Sequence, residues 1–326
     1  GVAAQRPFYF DHIQALTDQA MREYAALTGR EYARVMGYKM EDAEYAIIGQ
    51  GSVICNAEVV ADYLRKERGL KVGVLNIVMF RPFPADLVTH MLAGVKGAVV
   101  LERTDQPLAV ELPMIREVRT AMAQAVENGR AGNGTLPYAG LASLKSEQVP
   151  FFYSGCFGMG SRDLQPGDVI AAVDNMLENG RQQRQFYLGI DFIEKDTPLP
   201  KMQIWQQKIL ADYPHVADLA LPSAGDLDLF PDDTVELRIH SVGGWGAITM
   251  GKNLAMTAAE LLGFNIKANP KYGSEKKGQP TTFYAMLSHE PLRLNCELKH
   301  VNVVLSPDPN VFLHSNPLAG LSDEGV

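Results

Sequence analysis

Three glycines near residue 243 stand between a segment that alternates and one that does not. Val235, Leu237 and Ile239 alternate with Glu236, Arg238 and His240, which is the period of a strand. Gly243, Gly244 and Gly246 follow, and a helix is predicted from about Ala247, with Ala255, Ala258 and Ala259 where it would lie close to a sheet. Strand, tight turn and helix leave backbone N–H groups free at a helix N-terminus, where a phosphate can sit. The same pattern also serves plain strand–helix packing, and both readings stand. The spacing is not the dinucleotide fingerprint G-x-G-x-x-G. Asn253 after Gly251-Lys252 also departs from the G-K-S/T of a P-loop.

A second group of chemically capable residues lies earlier. Glu102 and Arg103 follow the apolar run GAVVL, and Arg81 follows KVGVLNIV. Charges at the C-terminal ends of parallel strands are where such sheets take ligands. The alternatives are a local ion pair at a domain joint and a guanidinium that fixes its loop. Cys156 sits among Gly155, Gly158 and Gly160 and is a conceivable nucleophile. No histidine is near it in sequence, so a buried or merely accessible thiol is the competing reading.

The elements that must position these residues follow from pattern. The lead-in, residues 1–43, predicts a helix over Asp11 to Thr28, capped by Asp11 and stopped by Gly29. Ile13, Leu16, Ala20, Tyr24 and Leu27 form its buried stripe. A first domain, 44–195, alternates strands (AIIG, KVGVLNIV, GAVVL, FFYS) with helices, including one from Pro107 to about Asn128. Continuous apolar runs fit strands covered on both faces. Residues 196–233 have the proline-punctuated composition of a linker, with a short helix at Gln203–Leu210. Residues 234–326 form a second domain that lacks a closing helix and reads as truncated. The fold class is α/β: two domains, each a largely parallel sheet with helices on both faces, the second an open and incomplete sheet.

Composition narrows the function. The chain has 326 residues, 46% of them hydrophobic, and a formal charge of −8, which argues against nucleic acid as its main partner. Cys55, Cys156 and Cys296 are scattered and make no C-x-x-C, iron–sulfur ligand set or disulfide framework. Neither a signal peptide nor a membrane-spanning apolar run is visible, and a cytoplasmic location is expected. The chain begins GVAAQRPFYF and ends SNPLAGLSDEGV. These ends suggest a piece of a longer polypeptide; trimmed or disordered termini are the alternative.

GQGS at 49–52, FRPFP at 80–84, ERTDQP at 102–107 and YSGCFGMGSRDLQP at 153–166 resemble the second domain of the pyruvate:ferredoxin (flavodoxin) oxidoreductases. That domain is similar to the C-terminal domain of transketolase. The 235–288 stretch, with KYGSEKKGQPTTFYAMLS, is similar to the third, gamma-type domain of the 2-oxoacid oxidoreductases. The resemblance covers essentially the whole chain, in the family's order. It implies a segment of an enzyme that oxidatively decarboxylates a 2-oxoacid, pyruvate first among them, on thiamine diphosphate and Mg²⁺. Electrons pass through iron–sulfur clusters to ferredoxin or flavodoxin, and the acyl group goes to coenzyme A.

The resemblance puts the catalytic glutamate before Gly1, and the diphosphate, Mg²⁺ and cluster sites after Val326. No catalytic or metal-ligating residue is then expected in this chain, and the isolated chain should be inactive. It gives the gamma-type domain a part in coenzyme A binding, with Gly243, Gly244 and Gly246 as backbone contacts and Lys271, Lys276 and Lys277 as charges for its phosphates. Glu275 weakens that local field, and Trp245 stands where many gamma domains have small or polar residues. Arg81, Glu102 and Arg103 are assigned to domain packing or the approach to the cofactor. The expected partners are the remaining domains or subunits of the same enzyme, in a homo-oligomer. The rival readings are a non-catalytic α/β module that docks catalytic partners and, against the fingerprint spacing, an independent dinucleotide-binding enzyme.

Overall fold

The computed structural model describes residues 1–131, 134–193, 195–197, 200–272, 280–313 and 316–326. Two compact units divide the chain, Gly1–Gly225 and Asp226–Val326.

The first unit begins with α1 (Val2–Phe8), α2 (Ile13–Thr28), β1 (Val35–Tyr38), β2 (Tyr45–Gly49), α3 (Val53–Arg68), β3 (Val72–Ile77), α4 (Ala85–Met91) and β4 (Gly97–Glu102). It continues through α5 (Pro113–Arg130), β5 (Phe151–Cys156), α6 (Pro166–Met176), β6 (Gln185–Tyr187), α7 (Pro200–Asp212) and α8 (His215–Leu219). The strands lie in the order β1-β3-β2-β4-β5-β6. All neighbours are parallel except β1, which runs antiparallel to β3 along one edge.

Alternation within each strand divides the core. Ala46, Ile48, Ala98, Val100 and Phe152 point to the face covered by α4 and α5, whose Val88, Ile115 and Val118 they meet. Ile47 and Val99 point the other way, toward the face where α3 and α6 pack. All are buried, which is why these strands read as unbroken apolar runs. The largely parallel sheet with helices on both faces is what the sequence predicts for this half.

The lead-in departs from expectation. His12, not Asp11, precedes α2, and no side chain caps it; Asp11 lies in a short 3₁₀ turn. None of the α2 side chains is buried, and Leu16, Tyr24 and Leu27 are exposed. Polar contacts hold the helix instead. Buried Arg34 donates to Asp18 of α2 at 2.8 Å and grips Asp86 of α4 through both nitrogens of its fork at 2.8 and 2.9 Å. The predicted stripe is thus largely uncovered, although Ile13 is half-buried and the Tyr24 ring lies 5.8 Å from that of Tyr32. Helix α5 also starts later than Pro107, at Pro113, because residues 103–112 form a loop and Pro113 occupies the first helical position. The 196–233 stretch carries α7 and α8, and Tyr187 bridges to Ala220 beyond them.

The second unit contains β7 (Val235–Val242), α9 (Ala247–Leu262), β8 (Asn265–Tyr272), β9 (Pro280–Ser288) and β10 (Val303–Leu305). The expectation of a largely parallel sheet with helices on both faces fails here. The order is β10-β7-β9-β8, with β9 antiparallel to both neighbours and only the β10–β7 pair parallel. The physical reason is connection length. Residues 273–279 are too few for a crossover, which needs a dozen or more, so β9 must return antiparallel beside β8. It slots between β7 and β8 and splits a β-α-β unit. Pro270 is tolerated because β8 lies at the edge of the sheet. Helix α9 covers one face through Leu237, Ile239, Phe283 and Ala285. Among the described residues, the opposite face is closed by loop residues, among them Leu298, Val301 and Leu321.

Candidate functional site

The C-terminal edge of the first sheet gathers Arg81, Glu102, Arg103 and Cys156. Glu102 ends β4, and its carboxylate reaches the start of α5. Oε1 accepts from the Met114 N–H at 2.7 Å and Oε2 from the Ile115 N–H at 3.2 Å. These are donors left over by the first helical turn, and a negative charge is favoured at a helix N-terminus. Burial raises the Glu102 pKa above the ordinary carboxyl value, against the pull of the two N–H groups. Arg81 donates to Glu117 of the same helix at 2.9 Å and lies 4.0 Å over the Phe80 ring. Both residues therefore converge on α5.

Arg103 turns elsewhere. Its side chain lies over Gly158, where an added Cβ would come within 2.8 Å of the arginine Cγ and Nε. Gly158 has φ 72 as well, so it meets both a close approach and a left-handed backbone. That accounts for one glycine of the loop around Cys156. The thiol itself is buried and donates to the Thr104 carbonyl at 3.1 Å. Burial, then the charges of Asp105 and Glu102, push it up to about 12. Such a thiol holds almost no thiolate at neutral pH, so the buried reading prevails over the nucleophile.

Asp105 and Tyr187 were not singled out by the sequence. Tyr187 ends β6, and its hydroxyl donates to the Asp105 carboxylate; burial and that bond push the phenol up to about 12. The pair flanks a cavity of about 280 Å³ beside the ends of β5 and β6. No local pattern could have shown it, because the two residues belong to different strand ends and meet only through sheet order.

At the second unit, Gly243, Gly244 and Gly246 form the turn between β7 and α9. Gly244 has φ 101 and Gly246 φ 79, and Gly246 stands at the helix N-cap without a side-chain cap. The backbone N–H groups of the first turn are thus presented without a capping side chain. Helix α9 lies close to the sheet: a Cβ on Gly251 would fall 2.3 Å from the Phe283 ring. Trp245 is exposed at the tip of the turn. Register brings the end of β7 beside the start of β9 (Val242 opposite Pro280) and the end of β8 (Tyr272 opposite Thr281), so the glycine turn and the end of β8 share one sheet edge.

Lys271 stands at that edge but pairs with Thr282, which faces away from α9 alongside His240 and Tyr284. Its ammonium donates to Glu297 at 2.6 Å. The structure therefore brings Lys271 to the edge of the glycine turn while holding its charge on the opposite face. Lys276, Lys277 and Glu275 lie outside the described residues.

The face opposite α9 is unusual for its buried charge. Glu236 and Arg238 are both buried on it. Arg238 Nη2 donates to the Pro317 carbonyl at 2.6 Å and to the Ala319 carbonyl, tying down the last loop of the unit. Burial, and then Asp228, push the Glu236 carboxyl up to about 8. Among the described residues no group of three or more His, Cys, Asp or Glu side chains is arranged to hold a metal ion. No helix among them is long and apolar enough to cross a membrane.

A doubly wound unit followed by a split β-α-β unit makes this a two-unit α/β protein. Residues 43–135 match the model of pyruvate:ferredoxin oxidoreductase core domain II, and residues 236–326 match that of pyruvate ferredoxin/flavodoxin oxidoreductase. The chain belongs to the pyruvate:ferredoxin/flavodoxin oxidoreductase family.

Among its relatives is a probable pyruvate-flavodoxin oxidoreductase of Escherichia coli, 29% identical over 89% of this chain and 21% of that protein. The pyruvate:ferredoxin oxidoreductase of Moorella thermoacetica is 24% identical over 99% of this chain and 24% of its own length. Pyruvate synthase subunit PorA of Thermotoga maritima is 31% identical over 56% of this chain and 44% of its own. The chain thus spans about a fifth to a quarter of the length of the long relatives it matches.

Proposed function

We propose that this chain is the middle segment of a 2-oxoacid:ferredoxin/flavodoxin oxidoreductase acting on pyruvate, in which it supplies scaffold and part of a coenzyme A site. The observation that carries the reading is the order of the two family matches, core domain II and then the second model, along one chain. In this reading the first unit is the transketolase C-terminal-like domain (44–195), preceded by a lead-in helix (1–43) and followed by a linker (196–233). The second (234–326) is the gamma-type domain. Thiamine diphosphate, Mg²⁺ and iron–sulfur clusters belong to other parts of the enzyme and supply the decarboxylation and electron-transfer chemistry there. A cytoplasmic homo-oligomer passing electrons to ferredoxin or flavodoxin completes the proposal.

The fit to coenzyme A rests on the second unit. The ligand is polyanionic, and the start of α9 presents N–H groups without a capping side chain behind two left-handed glycines. Lys276 and Lys277 are proposed to supply charge for the ligand's phosphates. Lys271 serves through its position at the edge, since its ammonium is engaged by Glu297. Calorimetric titration of the 326-residue chain with coenzyme A, at low and raised salt, tests the reading. A saturable, salt-sensitive signal that weakens when Lys276 and Lys277 become alanine is expected. Binding that ignores both salt and the lysines, or no binding at all, would remove this chain's share in the site.

One observation favours the second reading, a docking module for catalytic partner subunits. Helix α2 is tied to Arg34 through Asp18 and leaves Leu16, Tyr24 and Leu27 exposed. Both readings agree that this stripe meets another part of the enzyme.

A further inference from the structure

The cavity at the end of the first sheet has a definite chemical character. It opens between the loop after β4 and the ends of β5 and β6, at the edge where doubly wound sheets take ligands. Phe186 and Leu219 give it an apolar wall. Asp105 lies at its polar side, oriented by the Tyr187 hydroxyl that donates to it. Glu111 also lines the cavity but is neutralised by Arg119 at 2.7 Å. No lysine, arginine or histidine is among the lining residues, and Asp105 joins no ion pair among the described residues. The loop that forms the roof is pinned, since Gln185 Nε2 donates to the Val110 carbonyl at 3.1 Å.

We propose that this cavity binds a small organic cation, an alkylammonium or alkylguanidinium of a few carbons, with its charge on Asp105 and its tail against Phe186 and Leu219. Size selects the class: about 280 Å³ is at the small end of ligand pockets and suits a short tail. Charge selects the sign. One oriented, unneutralised carboxylate beside an apolar wall attracts a donor cation and repels a phosphate or carboxylate of the same size. The chemistry is binding alone. Cys156 at the cavity floor gives its hydrogen to the Thr104 carbonyl, and burial keeps the thiol protonated, so no covalent step is available to it. This site is in the first unit and stands independently of the coenzyme A reading, which concerns the second.

Titration of the 326-residue chain by calorimetry, with n-butylammonium, n-butylguanidinium, n-butanol and butyrate as probes, tests the proposal. The two cations are expected to bind saturably, and the neutral and anionic probes of the same length at least tenfold more weakly. Asp105→Asn should weaken the cations by roughly tenfold or more, the scale of a lost charge-assisted hydrogen bond. Asp105 is exposed, so this variant is expected to keep the parent's thermal unfolding profile. Tyr187→Phe should weaken the cations by a smaller factor, because the carboxylate remains but loses its orienting hydroxyl. Equal binding of butanol and butylammonium, unchanged affinity in Asp105→Asn, or no saturable binding of either cation at millimolar concentration would each overturn the proposal.

Discussion

The two units solve the same packing problem in different ways. In the first, β2 and β4 are buried on both faces, and helices close each side with apolar contacts. In the second, β7 is apolar toward α9 and carries Glu236, Arg238 and His240 on its other face, where loops close the sheet. Burying charge is costly unless it is partnered. Arg238 finds two carbonyls in the last loop, while Glu236 has no cation among the groups that shift it and sits high in pKa. The first unit therefore draws stability from matched apolar surfaces. The second draws on loop contacts and encloses one carboxyl whose pKa burial raises.

That contrast can be attacked at its strongest point first. Ile48, wholly buried between β2 and the α4–α5 layer, should cost about 2–5 kcal/mol when cut to alanine, the usual range for a core cavity. Calorimetry of the variant should show the first unit's transition lowered and the second's unmoved. A uniform drop of both would mean that the units unfold as one and that the contrast drawn here has no thermodynamic meaning.

The next largest effect is pH-dependent. A carboxyl whose folded pKa is about 8, against an ordinary 4.5, binds its proton more tightly folded than unfolded. Its contribution is fully kept below about 4.5 and is lost as pH rises through about 8. The second unit should thus weaken progressively between these limits, and Glu236→Gln should flatten the profile. Urea unfolding followed across that range provides the check. An unchanged slope in the variant would show that Glu236 is ionised at little cost, and the buried face would need another explanation.

The smallest effect concerns the polar joint of the first unit. Removing the Glu102 carboxylate in Glu102→Ala leaves the Met114 and Ile115 N–H groups without their acceptor, and about 1–2 kcal/mol is expected, the scale of a lost helix cap. Thermal melting of the variant measures it. A loss as large as that of Ile48→Ala would show that the first unit also relies on charge.

Much of the first unit was legible from local pattern. The runs AIIG, Lys71–Val78 and Gly97–Leu101, predicted as strands, fall on β2 (Tyr45–Gly49), β3 (Val72–Ile77) and β4 (Gly97–Glu102), because a strand covered on both faces is apolar along most of its length. The strand–glycine–helix at 235–262 was equally clear, since glycine at a turn and alanine against a sheet are local demands. The direction of β9 was not recognised, although the short connection before it carried the signal. The exposure of α2 was hidden for a different reason. An amphipathic period shows that a helix has an apolar face but not that anything within this chain covers it.

The candidate sites divide along the same line. Residue types alone marked Gly243, Gly244 and Gly246 as a turn and the charges after β4 as an edge feature. The destinations of those charges came only from the fold: Glu102 to the start of α5, Arg81 to Glu117, Arg103 over Gly158 and Lys271 to Glu297. The α/β class, the strand positions and the family resemblance are legible in the chain's letters, because these rest on periodicity and short motifs. Tertiary structure alone decided strand direction in the second sheet, the partner of each charge and the meeting of Asp105 with Tyr187. A long side chain can reach several neighbours, and which one it meets depends on elements distant in sequence.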